Sequence, residues 1–325
     1  MANAEIAEIV EKVKKFKKGF LRKLESENKS VHTLDSYERN IDKFVDFLEQ
    51  YNEEIDFNTI VENDIFEYLD YRNEYSEMNK TTKEKFKKKD FQISTATKNQ
   101  IISTLKKFFA YIEKNSKTLY DFSKVFEDIK IKKPKREPKG LNEVNYKKLI
   151  EFLEEYKKLG KDFTNYRNTL LLKIMLFAGA RVSEAISIKF EDIKPSPKEE
   201  LYEIQVIGKG SKQRKIYIEK ALIDDEIYYL LNRTGLFSSH DYIAKTKTLK
   251  KMDRVQLYKA INIIYGLSGV NETMLHALRH TYAKEKAKNI PLPVLQKLMG
   301  HSDINTTSIY TDPTEEIILD TLGKN

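Results

Sequence analysis

Apolar residues in the first part of the chain recur every three or four positions, the spacing of one face of an α-helix. Thr59 and Glu62 are spaced like a capping box at the start of one of these helices. The pattern therefore predicts a small helical domain and says nothing about its chemistry. The four apolar stripes run from Ile6 to Leu24, Tyr37 to Leu48, Ile60 to Leu69 and Ile101 to Ile112.

The segment KIKKPKREPKG, from Lys130 to Gly140, interrupts this pattern. It contains two prolines and has no apolar periodicity after Ile131, so it cannot contribute to a core. We therefore predict a linker at residues 134–140. It would join a helical domain at residues 1–133 to a second domain at residues 141–325.

The second domain mixes two periodicities. Helical patterns alternate with two stretches, 201–208 and 213–219, that have the period of two typical of strands. A Gly-Lys-Gly-Ser-Lys turn between them predicts a β-hairpin. The predicted fold class is mainly α with a small β-sheet. The predicted helices lie at 143–158, 164–178 (buried, because LLLKIMLFAGA is strongly apolar), about 219–233, 253–266, 272–288 and 292–299, with an apolar tail helix at 314–322.

Composition narrows the class of protein. The chain has 325 residues, of which 40% are hydrophobic and 33% charged, a globular balance. It contains no cysteine, which excludes disulfides, thiolate metal sites and cysteine nucleophiles. No apolar run approaches the roughly 20 residues of a membrane span, and no signal segment is evident, so we expect a cytoplasmic protein with no membrane partner.

The formal net charge is +8, which is compatible with a nucleic-acid partner but does not require one. Lysines crowd residues 80–89 and 132–139. Taken alone, each cluster is also explained as a solvated loop.

Candidate chemistry in the second domain begins with Arg181. This residue follows a predicted buried helix and a Gly-Ala pair, and its planar guanidinium suits phosphate oxygens. Pairing with Glu184 and capping of a helix is the alternative, and both roles are compatible. Lys209, between two glycines at the predicted hairpin tip, is placed to approach a phosphate or is simply solvated.

The segment HALRH offers two competing sites. His276 and His280 are four residues apart, the spacing of a two-histidine zinc site. However, the glutamate base of a zinc hydrolase is absent, and Arg279 would repel Zn²⁺ while attracting an anion. A phosphate site is therefore favoured, with a purely structural His280 left open.

Tyr310 lies nine residues after His301 in GHSDINTTSIYTD. A phenol has a pKa of about 10 and is a weak nucleophile at neutral pH. It becomes useful where cations lower its pKa and stabilise the charge that develops on a phosphate under attack.

In this order, ARVSE, GKG, HALRH and GH with its later tyrosine resemble the signature of the tyrosine recombinases, the phage-integrase family. The likeness covers the whole second domain. The first domain resembles the family's helical core-binding domain more loosely, through SVHTLDSYERNIDKFVDFL and TATKNQIISTLKKFFAYI. The resemblance implies the catalytic residues Arg181, Lys209, His276, Arg279, His301 and Tyr310, with Glu184 and His280 in support.

By the same resemblance, the reaction is DNA strand cleavage and rejoining through a 3′-phosphotyrosyl intermediate, with no metal, ATP or other cofactor. The implied partner is a double-stranded recombination site that holds a homodimer, and two sites would synapse in a homotetramer. The expected DNA contacts are Lys98, Lys106, Lys107, Lys132, Lys133, Lys135, Arg136, Lys212 and Arg214.

Within the family, the compact build is similar to Xer recombinases that resolve chromosome dimers. The Lys-rich segment at 76–93 is similar to the single-subunit XerH type. A DNA translocase of the FtsK type is then a candidate partner. An integrase of a mobile element, a type IB topoisomerase with the same chemistry, and a catalytically inactive DNA-binding regulator are the alternatives.

Overall fold

The structure is a computed structural model of the chain. It divides into two compact units between Lys135 and Arg136. That division falls inside the predicted linker, whose residues 134–139 lie outside the described ranges, so the predicted domain boundaries remain a prediction. No helix among the described residues combines the length and the apolar character needed to cross a membrane. The structure describes residues 2–51, 60–74, 93–117, 120–127, 129, 140–160, 162–208, 213–271 and 274–300.

The first unit is helical in its described parts, as the apolar stripes predict. Phe44 is fully buried and packs edge-on against Tyr68, with ring centroids 5.1 Å apart, and against Phe109 at 5.7 Å. Such aromatic contacts join three helices in one core. Its elements are α1 (Ala2–Ser26), α2 (Val31–Tyr51), α3 (Glu62–Glu74), α4 (Thr95–Asn115) and a 3₁₀ turn at Lys124–Phe126.

The start of α3 differs from the sequence prediction. The helix begins at Glu62, and the backbone N–H of Val61 donates to Asp64 Oδ2 over 2.8 Å. Ile60 is buried but precedes the helix. The predicted cap, Thr59, lies outside the described residues. The apolar stripe located the helix correctly, but an apolar side chain before a helix packs as well as one inside it.

The second unit is mixed and mostly helical, which confirms the predicted fold class. Its core surrounds α6, where every residue from Arg167 to Leu176 is buried, as the strongly apolar segment LLLKIMLFAGA predicted. The buried stretch also includes the polar residues Arg167, Asn168, Thr169 and Lys173. The helices are α5 (Glu143–Leu159), α6 (Thr164–Phe177), α7 (Val182–Ala185), α8 (Asp224–Asn232), α9 (Arg254–Leu267), α10 (Leu275–Ala287) and α11 (Leu292–Met299).

A three-stranded antiparallel sheet, in the order β1-β2-β3, completes this unit. The strands are β1 (Ile193–Pro195), β2 (Leu201–Ile207) and β3 (Gln213–Glu219). Strands β2 and β3 pair as predicted, with Val206 opposite Arg214, whereas the turn residues 209–212 lie outside the described ranges. The sequence did not predict β1, because three residues ending in proline carry no alternating pattern.

Candidate active site

Arg181 is positioned by the sharp turn that follows α6. Gly179 has φ +66°, a left-handed conformation that favours glycine. A Cβ atom at this position would lie 2.4 Å from the Tyr282 ring, so a side chain is excluded sterically as well. The turn places Arg181 at the N-cap of α7.

Glu184 fixes both the backbone and the side chain of Arg181. Its carboxylate accepts the Arg181 backbone N–H over 2.7 Å and the Arg181 Nη1 donor over 2.9 Å. The Glu184 side chain is fully buried, whereas that of Arg181 is 28% exposed. Arg181 therefore pairs with Glu184 at a helix start, as one interpretation predicted, and it stays partly exposed. Its contact with a phosphate remains a prediction.

A second arginine, Arg214 from β3, binds the same carboxylate. Its Nη2 and Nε donate to the two oxygens of Glu184 over 2.8 Å and 3.2 Å. Burial alone would raise the pKa of Glu184, but the hydrogen bonds and charges of Arg214 and Arg181 bring that pKa below its usual value. The carboxylate is therefore ionised at neutral pH.

Arg279, on α10, lies deeper than Arg181 and is 5% exposed. Its guanidinium donates to the backbone carbonyls of Gly179 and Met299. It therefore joins the turn before α7 to the end of α11. Arg181 reaches the same end, since its Nη2 donates to Met299 over 3.3 Å and to Gly300 over 3.0 Å.

The C-terminus of α11 is thus where three guanidiniums converge. Arg214 contributes the third, because its Nη1 donates to the Leu298 carbonyl. The last carbonyls of a helix have no partner within it and carry partial negative charge, so they attract cations. Gly300 ends the helix with φ +59°.

His276 and His280 border this cluster from α10, with ring centroids 6.4 Å apart. The protein packed around the ring of His276 and the charges of Arg254, Arg279 and Arg181 lower its pKa. Desolvation, His276 and Arg279 lower the pKa of His280. Both rings are therefore neutral at neutral pH, and each has one nitrogen that donates and one that accepts. The cations around them favour an anion over a metal ion.

Comparison with known families settles the class of protein. The Phage integrase family model matches residues 139–316, and the model of the N-terminal SAM-like domain of phage integrases matches residues 18–116. The first match alone spans more than half of the chain. The chain belongs to the phage integrase family. It is a tyrosine recombinase, an enzyme that cleaves and rejoins DNA strands.

Xer proteins are among the most similar curated relatives of this recombinase. The tyrosine recombinase XerC of Staphylococcus saprophyticus is 31% identical over 312 residues, which is 94% of each chain. The tyrosine recombinase XerH of Campylobacter jejuni is 31% identical over 238 residues, covering 67% of this chain and 62% of that one. The predicted Xer-like character is confirmed.

Solved structures agree with the fold. A XerH site-specific recombinase bound to palindromic difH substrate, in a post-cleavage complex, matches with a TM-score of 0.70 and 23% identity. That match covers 91% of this chain and 80% of the other. The Tn1549 transposon integrase in complex with transposon right end DNA matches with a TM-score of 0.65 and 17% identity, covering 96% and 98%.

Three predicted catalytic residues of the recombinase, Lys209, His301 and Tyr310, lie outside the described residues. The structure brings Arg181, Arg279, His276 and the supporting Glu184 together around the end of α11. The chain enters its GH segment at Gly300, beside Arg181. The roles of all six residues remain predictions.

The predicted DNA contacts are only partly described. Lys98, Lys106 and Lys107 lie on α4, and Lys107 Nζ donates to the Tyr37 hydroxyl over 3.0 Å. Lys106 and Lys107 are exposed. Their role in binding DNA remains a prediction. Lys132, Lys133, Lys135, Arg136 and Lys212 fall outside the described ranges.

Two features of the site were missed by sequence reasoning. Arg214 was predicted only as a DNA contact, which remains a prediction, whereas its pairing with Glu184, with a side chain that is 13% exposed, was not expected. The signal for this contact is weak, because only the fold reveals that a buried carboxylate faces position 214. The charge of Arg254, the first residue of α9, was not connected with His276, which is distant in sequence.

Proposed function

We propose that the recombinase cleaves DNA through Tyr310, assisted by Arg181, Lys209, His276, Arg279 and His301. The Tyr310 oxygen passes its proton to a histidine of this set and attacks a backbone phosphorus atom. The bond from phosphorus to the 5′-oxygen breaks, which leaves a 3′-phosphotyrosyl link. A 5′-hydroxyl from another strand then reverses these steps, so no bond energy is lost and neither ATP nor a metal ion is required.

The single observation that supports this most is the convergence of Arg181 and Arg279 on the Met299 carbonyl. The two residues come from different helices, and Arg181 retains an exposed side. A pentacoordinate phosphorane has more negative charge on its oxygens than the diester. Each fixed donor at such a site lowers the barrier by about 3–4 kcal/mol.

Proton transfer is assigned to the other members of the set. Lys209 protonates the leaving 5′-oxygen, since an ammonium group is a compact acid. His276, neutral because its pKa is lowered by desolvation and by arginine charges, accepts or donates a hydrogen bond at the phosphate. His301 is the second histidine that we assign to proton transfer or hydrogen bonding at the phosphate.

The biological role that we propose is chromosome dimer resolution in the cytoplasm. Support comes from the XerC and XerD names of the relatives that match along most of the chain. A homodimer would bind each site, two sites would synapse as a homotetramer, and a DNA translocase of the FtsK type would be a partner. The tail at 314–322 would contact either its own domain or a neighbouring subunit.

A nicked suicide substrate tests the chemistry. The nick lets the 5′-hydroxyl fragment diffuse away, so the enzyme should remain joined to DNA in a band that resists denaturant. Tyr310→Phe should abolish this band while duplex binding persists. The matched control is Tyr228→Phe, since Tyr228 is 53% exposed on α8. EDTA should leave the reaction unchanged.

Binding without an adduct would instead identify a DNA-binding regulator, and loss of activity in EDTA would identify a metal-dependent enzyme. The biological role needs a second measurement. Genomic DNA crosslinked to the enzyme in cells should contain one chromosomal locus. Recovery of the ends of a mobile element would contradict dimer resolution.

A further inference from the structure

Arg214 occupies an unusual place for a residue on a basic, DNA-binding protein. It lies on β3 opposite Val206, and its side chain turns inward, with 13% exposed. Its next neighbour, Lys215, has a side chain that is 56% exposed and pairs with Glu203. Adjacent strand residues point to opposite faces of a sheet, so β3 presents one cation to solvent and one to the interior.

The inward cation binds Glu184 through two of its nitrogens. The distances are 2.8 Å from Nη2 and 3.2 Å from Nε. A guanidinium bound in this two-point manner fixes the orientation of a carboxylate as well as its position. The same carboxylate holds the side chain of Arg181 over 2.9 Å. Arg181 is therefore oriented by a group that Arg214 itself orients.

The third nitrogen of Arg214 donates to the carbonyl of Leu298. One side chain thus links β3 to α7, through Glu184, and to the end of α11. The fit is close, because a Cβ at Gly300 would lie 2.7 Å from Arg214 Cδ and 3.0 Å from its Nε. The residue after Gly300 is the predicted catalytic His301.

Without Arg214, Glu184 would lose the larger part of the positive charge and hydrogen bonding that stabilise its buried carboxylate. A buried carboxylate with one cation left would attract that cation with both oxygens. Arg181 would then turn from its Met299 and Gly300 contacts towards Glu184. A shift of about 1 Å in a group that positions a reacting atom costs as much as 100-fold in rate.

We propose that Arg214 is a positioning residue for strand cleavage, which acts through Glu184 to aim the Arg181 guanidinium at the scissile phosphate. The inference rests on the proposed function. It differs from the two simpler roles for Arg214: a direct contact with the DNA backbone, or a contribution to folding alone.

The test uses a substrate that separates these roles. In one suicide substrate the scissile group is a phosphate, and in the other a methyl group replaces a non-bridging oxygen and removes the negative charge. Arg181 acts by neutralising that charge, so its loss matters less on the neutral substrate. Single-turnover cleavage at saturating enzyme would be measured for wild type, Arg214→Met, Arg214→Lys and Arg181→Ala, with Lys215→Met as the matched control.

Arg214→Met should slow cleavage of the phosphate by about 10- to 100-fold, and the effect on the neutral substrate should be at least several-fold smaller. Arg181→Ala should show the same selectivity, and Lys215→Met should behave like wild type. Arg214→Lys keeps the charge but not the two-point contact, so it should recover only part of the rate. Its milder change also provides a folded variant should Arg214→Met melt below the assay temperature.

Equal losses on both substrates would overturn the proposal in favour of a purely structural role. A weaker affinity with a smaller salt dependence and an unchanged saturating rate would identify a backbone contact instead. Failure of the wild-type enzyme to form any adduct would contradict the proposed function itself. That outcome is distinguishable from a failure of this inference, which requires an active wild type.

Discussion

Glu184 and Glu226, both in the second unit, have fully buried side chains. They differ in the groups that surround their carboxylates. Each pairs with two cations, and all of these except Arg181, which is three residues before Glu184, come from distant parts of the chain. Glu184 pairs with Arg181 and Arg214. Glu226 pairs with Lys157 and Lys173.

The contacts of the two carboxylates are different. Both oxygens of Glu184 accept hydrogen bonds, and its arginines extend further to carbonyls at the end of α11. At Glu226, both lysines bind Oε1, over 3.1 Å and 2.7 Å, while the buried Oε2 has no hydrogen-bond partner among the described residues. Lys157 and Lys173 are 5% and 9% exposed, against 28% for Arg181.

The two clusters differ in whether a cation remains accessible to solvent after it has bound the buried carboxylate. Lys157 and Lys173 use their donors on further carboxylates, since both also bind Glu154 and Lys157 binds Asp225 as well. The arginines at Glu184 instead extend to backbone carbonyls. The Glu226 cluster is therefore closed, and it joins α5, α6 and α8. The Glu184 cluster keeps a partly exposed cation, Arg181, which is the group that we propose contacts the phosphate.

The largest predicted difference between the two clusters is their effect on the rate of DNA cleavage. Arg181→Ala or Arg279→Ala should reduce single-turnover cleavage by about 100- to 1000-fold, because each removes a donor to developing charge. Lys173→Met, in the closed cluster, should leave the rate per folded molecule unchanged. A comparable loss in Lys173→Met would show that the two clusters are not functionally distinct.

The next effect is on stability. Glu226→Gln should lower the free energy of unfolding by about 2 kcal/mol, since it removes the fully buried charge that two nearly buried lysines share, although Glu154 still pairs with both. The exposed pair of Lys147 with Glu143 is the matched control, and Lys147→Met should cost below about 1 kcal/mol. Urea denaturation followed by circular dichroism measures both. Similar losses of unfolding free energy in the two variants would contradict the expected difference between a buried and an exposed ion pair.

A smaller effect is expected from Gly300→Ala. The left-handed backbone should cost about 1–2 kcal/mol, and the added Cβ would displace Arg214. Gly235→Ala has nearly the same strain, with φ +65°, but meets no atom within 4 Å. Both variants should melt lower, and only Gly300→Ala should also slow cleavage. Equal rates in the two would mean that Arg214 tolerates displacement.

The smallest effect concerns pH. His276 and His280 have lowered pKa values in the folded enzyme, caused by desolvation first and neighbouring cations second. As pH falls through the unfolded value of about 6.5, the unfolded chain takes up protons that the folded chain does not. Stability should therefore be complete above that pH and fall below it, until the lowered pKa is passed.

Melting temperatures of the DNA-free enzyme between about pH 7.5 and pH 5 check this expectation. Replacing both histidines by glutamine should flatten the dependence, whereas His240→Gln, in an exposed pair with Glu191, serves as the control. An unchanged slope in the double variant would contradict the assignment.

Most of the fold was predictable from periodicity, because an amphipathic or strongly apolar segment has few ways to bury itself. The LLLKIMLFAGA helix and the 201–219 hairpin strands are examples. Predictions failed where a segment was too short to carry a period, as in β1. The predicted helix at 219–233 is a 3₁₀ turn at Lys220–Leu222 followed by α8 from Asp224.

The candidate catalytic residues could be predicted from the sequence. Most of the groups that hold them in place could not. Arg181, His276 and Arg279 stand in ordered motifs, so family resemblance found them, and the structure brings them together. The inward position of Arg214 depends on which face of β3 lies over Glu184, which the sequence does not encode locally. The carbonyls of Leu298, Met299 and Gly300 have no side-chain signal at all.

The sharing of one carboxylate by Arg181 and Arg214 has an evolutionary consequence. A lineage that replaced Arg214 first would carry a misdirected Arg181, and one that replaced Glu184 first would leave two arginines without a counter-ion. Neither single step is neutral, so the three positions would be inherited together and would change only as a set. Under the proposed positioning role, sequence drift in this recombinase is slowed at Arg214 as well as at Arg181.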